Sequence, residues 1–452
     1  MNSGGRTTKP NIFNFIITAF LLCFCVEVHA ASQSLKTLLS QIQVQLTEIQ
    51  SEKKKLVQVL TYSADKPHKV SLVATTINLK KGSESVERWD FNLSDIDVRL
   101  VNYVTGSTAI VVALKTKDAQ KFISSSKDGK KKRYVSDLEI TAIDIDSARA
   151  IKDFFIKAIP LADTSWNKII GINFNAYDQM RRKLKDIQVN SQSGSKTLLQ
   201  EIALVNQVSD KLVVTTTEIN SKGKQTLTKQ EFSMADLLEQ SVVINTGKDL
   251  QVLAKTKRDL KVVRLTVNGE LKGYSNKIEL YANDVDEARI MQRLLVNLVE
   301  PAGKALVKRL SVATSKQQLL NAISKHIQPF QNGSDSIDQS LDSKCITSYR
   351  LATTKKAGKI TEEIAQFNFG DLQENSVEIK VSGKLLSVTS QIKEKQKYVK
   401  AFKDGEQKSY TNKISFPVKS VDSAKAVVYI MSKVIDKCAV KPIPQKWTWL
   451  VA

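Results

Sequence analysis

Two aspartates close together are the first residues of this sequence that could do chemistry. Asp144 and Asp146 could form a carboxylate pair, which in glycoside hydrolases supplies an acid and a base or nucleophile. The same residue type is common where a helix begins, because a carboxylate there accepts hydrogen bonds from free N–H groups and complements the helix dipole. We therefore interpret both aspartates as helix-start residues and predict no catalytic residue.

The other residues that could do chemistry form no enzyme motif. The sequence contains no G-x-S-x-G, no H-E-x-x-H, no P-loop and no dinucleotide-binding fingerprint. His68 and His326 lie far apart, and Cys345 and Cys438 lack C-x-x-C spacing, so no four-ligand zinc site is formed. The sequence predicts no metal and no other cofactor. In an oxidising compartment, the same two cysteines are expected to form a disulfide.

Lysines at two kinds of turn, each occurring three times along the chain, are the residues best suited to binding. The first kind of turn joins two predicted strands and contains Lys80, Lys81, Lys222, Lys224, Lys355, Lys356 and Lys359. The second kind is a hairpin, whose most basic copy contains Lys130, Lys131, Lys132 and Arg133. Such cations attract phosphate and other anions. Exposed lysines also protect sheet edges from pairing with other chains, which is the simpler explanation.

The turns belong to a unit that the sequence repeats three times. Three motifs recur in the same order: a segment at Phe91–Ile96, Phe232–Leu237 and Phe367–Leu372, a tyrosine at Tyr134, Tyr274 and Tyr410, and an aspartate at Asp146, Asp286 and Asp422. Before each tyrosine, an Asp-Gly or Asn-Gly dipeptide predicts a two-residue hairpin turn. The tyrosines are expected to pack in the sheet with the hydroxyl at its rim.

Hydrophobic periodicity predicts strands followed by a closing helix in every repeat. Trp89, Phe91 and Leu93 alternate with polar residues, which is typical of a half-buried strand. Ile151 and Phe155 belong to an apolar stripe with helical spacing. About six or seven strands and one helix are expected per repeat. The predicted fold class is α+β.

This order of elements resembles that of pleckstrin-homology-like domains, and more loosely that of repeat-bearing envelope proteins of Gram-negative bacteria. The resemblance covers residues 69–160, 211–300 and 345–438. It implies three tandem antiparallel sheet or barrel domains, each closed by a C-terminal helix and joined by helical segments. It also implies that the lysines of the first turn meet phosphate headgroups.

The predicted domain organisation starts with a secretory signal. Arg6 and Lys9 precede an apolar run from Ile12 to Val26 and a predicted cleavage site after Ala30. The expected parts are a signal peptide at 1–30, an N-terminal helix at 31–68, repeat domains at 69–165, 211–303 and 344–440, helical linkers at 166–210 and 304–343, and a Trp-containing tail at 441–452. The N-terminal helix is expected from Leu35 to Leu60, and residues 190–195 and 332–336 are expected to be loops.

The net positive charge of the chain narrows the classes of partner that it is expected to bind. The chain of 452 residues has a formal net charge of +22, and every repeat carries more basic than acidic residues. This favours polyanions or anionic membrane surfaces, while no nucleic-acid-binding motif accompanies the charge. We predict an exported envelope protein, periplasmic, outer-membrane-associated or secreted, that binds or scaffolds a protein or envelope partner through its three repeats. One alternative is a peripheral binder of anionic lipid or polysaccharide, and a more remote one is an enzyme of unfamiliar type.

Overall fold

The computed structural model describes residues 35–106, 109–171, 176–205, 208–247, 249–311 and 313–439. The predicted signal peptide and the Trp-containing tail lie outside these residues. Within the described residues, no helix combines the length and the apolar character needed to cross a membrane.

Each repeat consists of a short helix, nine described strands and a second, closing helix. The short helices are α1 (35–45), α3 (Tyr177–Lys185) and α5 (Lys316–His326), and the closing helices are α2 (Ile145–Ile170), α4 (Val285–Leu310) and α6 (Val421–Cys438). We use first, second and third repeat for the described residues of 35–171, 176–311 and 313–439.

The strands follow one order in all three repeats. The first repeat has β1 (Ile49–Gln50), β2 (Lys54–Tyr62), β3 (Lys69–Asn78), β4 (Ser83–Asn92), β5 (Asn102–Thr105), β6 (Ile110–Lys115), β7 (Ile123–Lys127), β8 (Lys130–Val135) and β9 (Asp137–Ala142). The second has β10 (Val189–Ser193), β11 (Lys196–Leu204), β12 (Lys211–Ile219), β13 (Gln225–Ser233), β14 (Val243–Thr246), β15 (Leu250–Lys255), β16 (Val263–Val267), β17 (Glu270–Ser275) and β18 (Lys277–Tyr281). The third has β19 (Phe330–Asn332), β20 (Asp335–Leu341), β21 (Ile346–Thr354), β22 (Ile360–Asn368), β23 (Glu378–Ser382), β24 (Leu385–Gln391), β25 (Lys400–Lys403), β26 (Glu406–Gln407) and β27 (Lys413–Val418).

Two antiparallel sheets form in each repeat. In the first repeat, a six-stranded sheet has the order β1-β2-β3-β4-β7-β8, and a three-stranded sheet has the order β5-β6-β9. The other two repeats have the same pair of sheets. The fold is therefore α+β with antiparallel sheets, as predicted. The described strands form open sheets and no closed barrel, so the barrel alternative is wrong for this part of the chain.

The segments predicted to be purely helical are partly strands. The predicted helix from Leu35 to Leu60 ends at residue 45, and residues 54–62 form β2. The segments expected as loops at 190–195 and 332–336 belong largely to hairpins that open the sheets of the second and third repeats. Each six-stranded sheet therefore takes its first two strands from a segment that had been assigned to the N-terminal helix, in the first repeat, or to a helical linker, in the other two.

A buried glutamine in the second strand of each repeat explains why that strand belongs to the domain. Gln58 donates a hydrogen bond from Nε2 to the carbonyl oxygen of Thr141 (2.7 Å). Its Oε1 accepts one from the backbone N–H of Thr141 (3.0 Å). The corresponding residues, Gln200 and Gln339, hydrogen-bond to the equivalent strand of the three-stranded sheet, at Tyr281 N–H and Pro417 C=O. One amide side chain thus joins the two sheets of each repeat, and its burial costs little because it is paired.

The described chain forms two compact units. The first contains the first repeat together with Asn245–Leu250 and Asp284–Asp286, and the second contains the rest of the second repeat and the third. In the first unit, Leu35, Leu39 and Ile42 of α1 are buried in the same core as Ile151 and Phe155 of α2. Both helices are therefore integral to the first repeat, because each buries an apolar stripe against the sheets.

The residue just before the third strand of each repeat contacts the closing helix, but by a different interaction each time. The ring of His68 lies 5.4 Å from the ring of Trp166 in α2. Asp210 accepts a hydrogen bond from Arg309 Nε of α4 at 3.1 Å. Cys345 forms a disulfide with Cys438 of α6, with 5.4 Å between the Cα atoms. We call these three interactions the helix ties.

Candidate functional site

The lysines predicted to bind are all exposed, and an asparagine side chain braces the first kind of turn in two of the three repeats. In the first repeat, the Asn78 side chain accepts hydrogen bonds from the N–H groups of Lys80 and Lys81, both at 3.1 Å. In the second repeat, Asn220 does the same for Lys222 and Lys224. In the third repeat, Lys355, Lys356 and Lys359 are also exposed. The asparagine fixes the turn backbone in the first two repeats, and both lysines of each of these turns are exposed.

The hairpin turns have the predicted geometry. Asp128 and Gly129 have φ angles of 50° and 73°, and Asn268–Gly269 and Asp404–Gly405 are also left-handed. Both residues of a tight hairpin turn of this type need positive φ, which explains the dipeptide. The Asp128 side chain also accepts a hydrogen bond from Val86 N–H at 2.8 Å, which joins the hairpin to β4.

The two kinds of turn therefore lie at the same end of the six-stranded sheet. Val86 is the fourth residue of β4, and β4 starts directly after the turn that holds Lys80 and Lys81. The connection between β1 and β2 lies there too, because Leu79 N–H donates to the carbonyl oxygen of Lys53 (3.0 Å). We call this part of the first repeat the basic sheet end. The structure thus brings Lys80 and Lys81 to the same sheet end as the cations at positions 130–133.

A cleft of about 470 Å³ opens at the basic sheet end of the first repeat. Its walls are Glu87, Trp89, Ser125, Ser126, Lys127, Lys132, Arg133 and Val135. Trp89 and Val135 are half-buried and pack against the core of the repeat. The cleft therefore combines an apolar floor, two hydroxyl-bearing residues and three cations.

A β-bulge places two of these cations. Ser124 pairs with Tyr134 and Ser126 pairs with Lys131, so β8 has one residue more than β7 between these pairs. Lys132 and Arg133 both lie opposite Ser125 in consequence. Ser125 Oγ donates a hydrogen bond to the carbonyl oxygen of Arg133 at 2.6 Å, which stabilises the bulge. Bulges often redirect side chains toward a functional surface.

The cations of the basic sheet end, in the cleft and around it, differ in how they are paired. Lys127 Nζ lies 3.0 Å from Glu87, and this hydrogen bond and ion pair raise the pKa of Lys127. Lys80, Lys81, Lys130, Lys132 and Arg133 have no ion pair within 4.0 Å among the described residues. Lys131 lies over the ring of Tyr134, 4.9 Å from its centroid. Most of the basic charge at this sheet end is thus available to an anionic ligand.

The other two repeats do not reproduce the cleft. By strand register, Trp89 corresponds to Gln230 and Ala365, and Ser125 corresponds to Leu265 and Ala401. Basic residues at the turns of these repeats are frequently paired. Such pairs join Lys272 to Glu270, Lys355 to Asp335, Lys403 to Glu363 and Lys408 to Glu406. The predicted lysine turns are therefore not three equivalent sites, and the combination of an aromatic floor with unpaired cations belongs to the first repeat.

Sequence reasoning missed Trp89 as a site residue because it could be assigned only to a strand. The signal that could have found it is the lack of an aromatic residue at the matching positions of the other repeats. The repeated tyrosines also differ from one another. Tyr134 is buried, which raises its pKa to about 12, Tyr274 is half-buried, and Tyr410 is 47% exposed.

The predicted helix-start role of the aspartates has structural support. Asp144 accepts a hydrogen bond from Ser147 N–H at 2.7 Å and caps α2, and Ser420 caps α6 in the same way. Asp146 lies in the first turn of α2. Within the described residues, no group of three or more His, Cys, Asp and Glu side chains is arranged to hold a metal ion.

Comparisons with known proteins give no family for this chain. No protein-family model matches it, and no protein of curated function is detectably similar to it in sequence. The functional argument therefore rests on the site geometry alone.

Proposed function

We propose that this chain is a non-enzymatic binding protein that engages the phosphate-bearing headgroups of an anionic lipid surface through its first repeat. The observation that carries the proposal is the cation-lined cleft at the basic sheet end, where Lys127, Lys132 and Arg133 lie beside Trp89. Ammonium and guanidinium groups form strong charge-assisted hydrogen bonds with phosphate oxygens. The indole provides an amphipathic surface of the kind common at membrane interfaces.

The arrangement of the turns supports a surface as the ligand. Lys80, Lys81 and the hairpin cations lie at one end of one sheet, so several cations can approach the same anionic layer together. A Lys or Arg close to an anionic membrane contributes about 1 kcal/mol to binding. The cleft has room for one headgroup, while the turns around it supply charge without specificity.

Three broader statements stay predictions. The pleckstrin-homology-like resemblance, in which the first turn meets phosphate, is in line with the proposal but is not needed for it. Export and a position in the cell envelope would place the chain beside anionic lipid. The absence of a recognisable enzyme motif supports a binding role over catalysis.

Vesicle sedimentation tests the proposal with the full chain. Vesicles of neutral phosphatidylcholine are compared with vesicles that also contain a phosphomonoester lipid, at low and high salt. We expect binding only to the anionic vesicles, and we expect it to weaken as salt screens the charges. Binding to a soluble anionic polysaccharide, with none to vesicles, would contradict the choice of lipid.

A matched pair of variants locates the site. The test variant carries Lys80→Ala, Lys81→Ala, Lys132→Ala and Arg133→Ala, and the control carries Lys222→Ala, Lys224→Ala, Lys355→Ala and Lys356→Ala. Both lose four positive charges from exposed positions. At about 1 kcal/mol per cation, the test variant should bind roughly 10³-fold more weakly, while the control changes little. Equal losses in both variants would show that the repeats act together through charge and that the first repeat holds no special site.

A second candidate function, engagement of a protein partner, is supported by an apolar cleft in the second compact unit. It has a volume of about 500 Å³, and its walls include Leu306, Leu310, Val377, Ile379 and Val428. Capture of one defined protein at high salt, lost in a Val428→Arg variant, would favour this function. If the Val428→Arg substitution does not change the capture, the cleft is not the site that binds this protein.

A further inference from the structure

The second compact unit shows how the start of a closing helix can serve as a docking surface. Asp422, in the first turn of α6, forms an ion pair with Lys211 of the second repeat. Lys425, one turn further on, lies 2.5 Å from Asp236 of the second repeat. Burial raises the pKa of Asp236, although the ion pair with Lys425 opposes the effect. The helix start thus offers one anion and one cation, and its partner supplies the opposite charges.

The corresponding aspartate of α4 is also covered. In the first compact unit, Asp286 lies 3.1 Å from Lys69 Nζ and accepts a hydrogen bond from Asn92 at 2.9 Å. Although burial opposes it, pairing with Asp284 and Asp286 raises the pKa of Lys69. Val285, the residue before this aspartate, is only 8% exposed. Two of the three helix starts therefore meet oppositely charged groups of another repeat.

The third helix start, that of the first repeat, is open. The side chains of Asp146 and Arg149 are 91% and 61% exposed, and they pair with each other at 3.2 Å. Ile143 and Ile145 beside them are 52% and 41% exposed. We call these four residues the α2 docking face.

The open face is more apolar than the covered ones. Ile143 corresponds to Asn283 and Lys419 in the other repeats, and Ile145 corresponds to Val285 and Val421. Exposed isoleucines cost free energy in water, in proportion to the apolar surface that they leave uncovered. A helix start that retains both the charged pair and two exposed isoleucines has the composition of an interface.

We propose that the α2 docking face binds the same face of a second copy of this chain, related by a two-fold axis. Such an interface is self-complementary, because Asp146 of each copy meets Arg149 of the other. The isoleucines of the two copies then pack at the centre, where water is excluded. The start of α6 likewise pairs one carboxylate and one cation with opposite charges, and a second copy of the chain supplies one such charge for each.

A head-to-tail contact between copies fits less well. The position of Lys69 and Lys211 in the first two repeats is Ile346 in the third repeat, which is 76% exposed. The third repeat therefore lacks the lysine that would meet Asp146. In the two-fold arrangement, Arg149 of the second copy supplies a further cation to this carboxylate.

Sedimentation equilibrium of the full chain over a concentration series tests the inference. We expect a dimer, dissociated by Asp146→Arg and by Arg149→Asp, because each change places like charges opposite one another. The double variant D146R/R149D should restore the dimer, since it exchanges the two charges. The expected weakening in each single variant is about tenfold or more, and the control pair E300K/K304E on exposed α4 residues should change nothing.

A further variant separates docking from folding. Ile143→Asn introduces the residue that the second repeat has at this position, so the fold accommodates it, and we expect it to weaken the dimer. A wild-type chain that stays monomeric at every concentration would overturn the inference. So would a dimer unaffected by the single variants, or one that the double variant fails to restore.

Discussion

Removing the disulfide of the third repeat should destabilise that repeat and leave the first repeat unchanged. Cys345 precedes β21 and Cys438 ends α6, so the bond spans 93 residues and encloses seven of the nine described strands of the repeat. The perturbation is the double substitution Cys345→Ala and Cys438→Ala, which removes the bond without leaving reactive thiols. Both cysteines pack at the core, and alanine is accommodated there without a buried polar group.

The magnitude follows from the length of the closed loop. On the chain-entropy model, a crosslink over roughly 90 residues stabilises the folded state by about 4–5 kcal/mol at 25 °C. Most of this free energy comes from restricting the unfolded chain. A loss of about 4 kcal/mol corresponds to roughly a 10³-fold increase in the equilibrium constant for opening the repeat.

Hydrogen exchange read by mass spectrometry measures this effect repeat by repeat. The slowest amides of α6 and β24 should exchange roughly 10³-fold faster in the double variant, provided that exchange follows the opening equilibrium. Peptides from the first repeat are the internal control and should keep their rates. Unchanged rates in the third repeat would refute the reasoning, because they would show that the crosslink does not limit its opening.

Two further predictions concern buried charge and a buried imidazole. Lys425→Met should leave the Asp236 carboxylate buried without its cation and cost about 3–5 kcal/mol, while the double variant with Asp236→Leu should recover most of the loss in denaturant unfolding. Burial lowers the pKa of His68, so its contribution to stability is complete above pH 6.5, the ordinary value, and is lost as the pH falls toward the lowered value. Thermal unfolding followed by tryptophan fluorescence should therefore become less pH-dependent in His68→Phe, and an unchanged pH profile would argue against a role for His68 in the pH dependence of stability.

Local chemistry made some parts of the fold predictable from the sequence. The Asp128–Gly129 turn follows from the positive φ that both positions need, and the α2 cap at Asp144 follows from the unpaired N–H groups of a helix start. Residues 46–60 were predicted wrongly, because the helical spacing of α1 continues for some residues into an alternating segment. A buried Gln58 looks like a surface residue in a sequence, since only the folded chain shows that its amide joins two sheets.

The candidate site was predictable only in part. Lysines in turns are visible in the sequence, but the meeting of separate turns at one sheet end depends on the pairing of β4 with β7. The partners of Lys211 and Lys425 lie roughly 190 to 210 residues away in the sequence, so spacing alone gives no hint of them. The disulfide was predictable because only two cysteines lie outside the proposed signal.

The helix ties have a consequence for how the chain folds. A protein with three similar repeats risks placing a closing helix on the sheets of the wrong repeat, as other tandem-repeat proteins do. The three ties are chemically incompatible: Trp166 cannot form a disulfide with Cys345, and Cys438 offers no cation to Asp210. A misplaced helix would therefore leave a free thiol or an uncompensated buried carboxylate. Each closing helix therefore satisfies its tie only when it packs on the sheets of its own repeat.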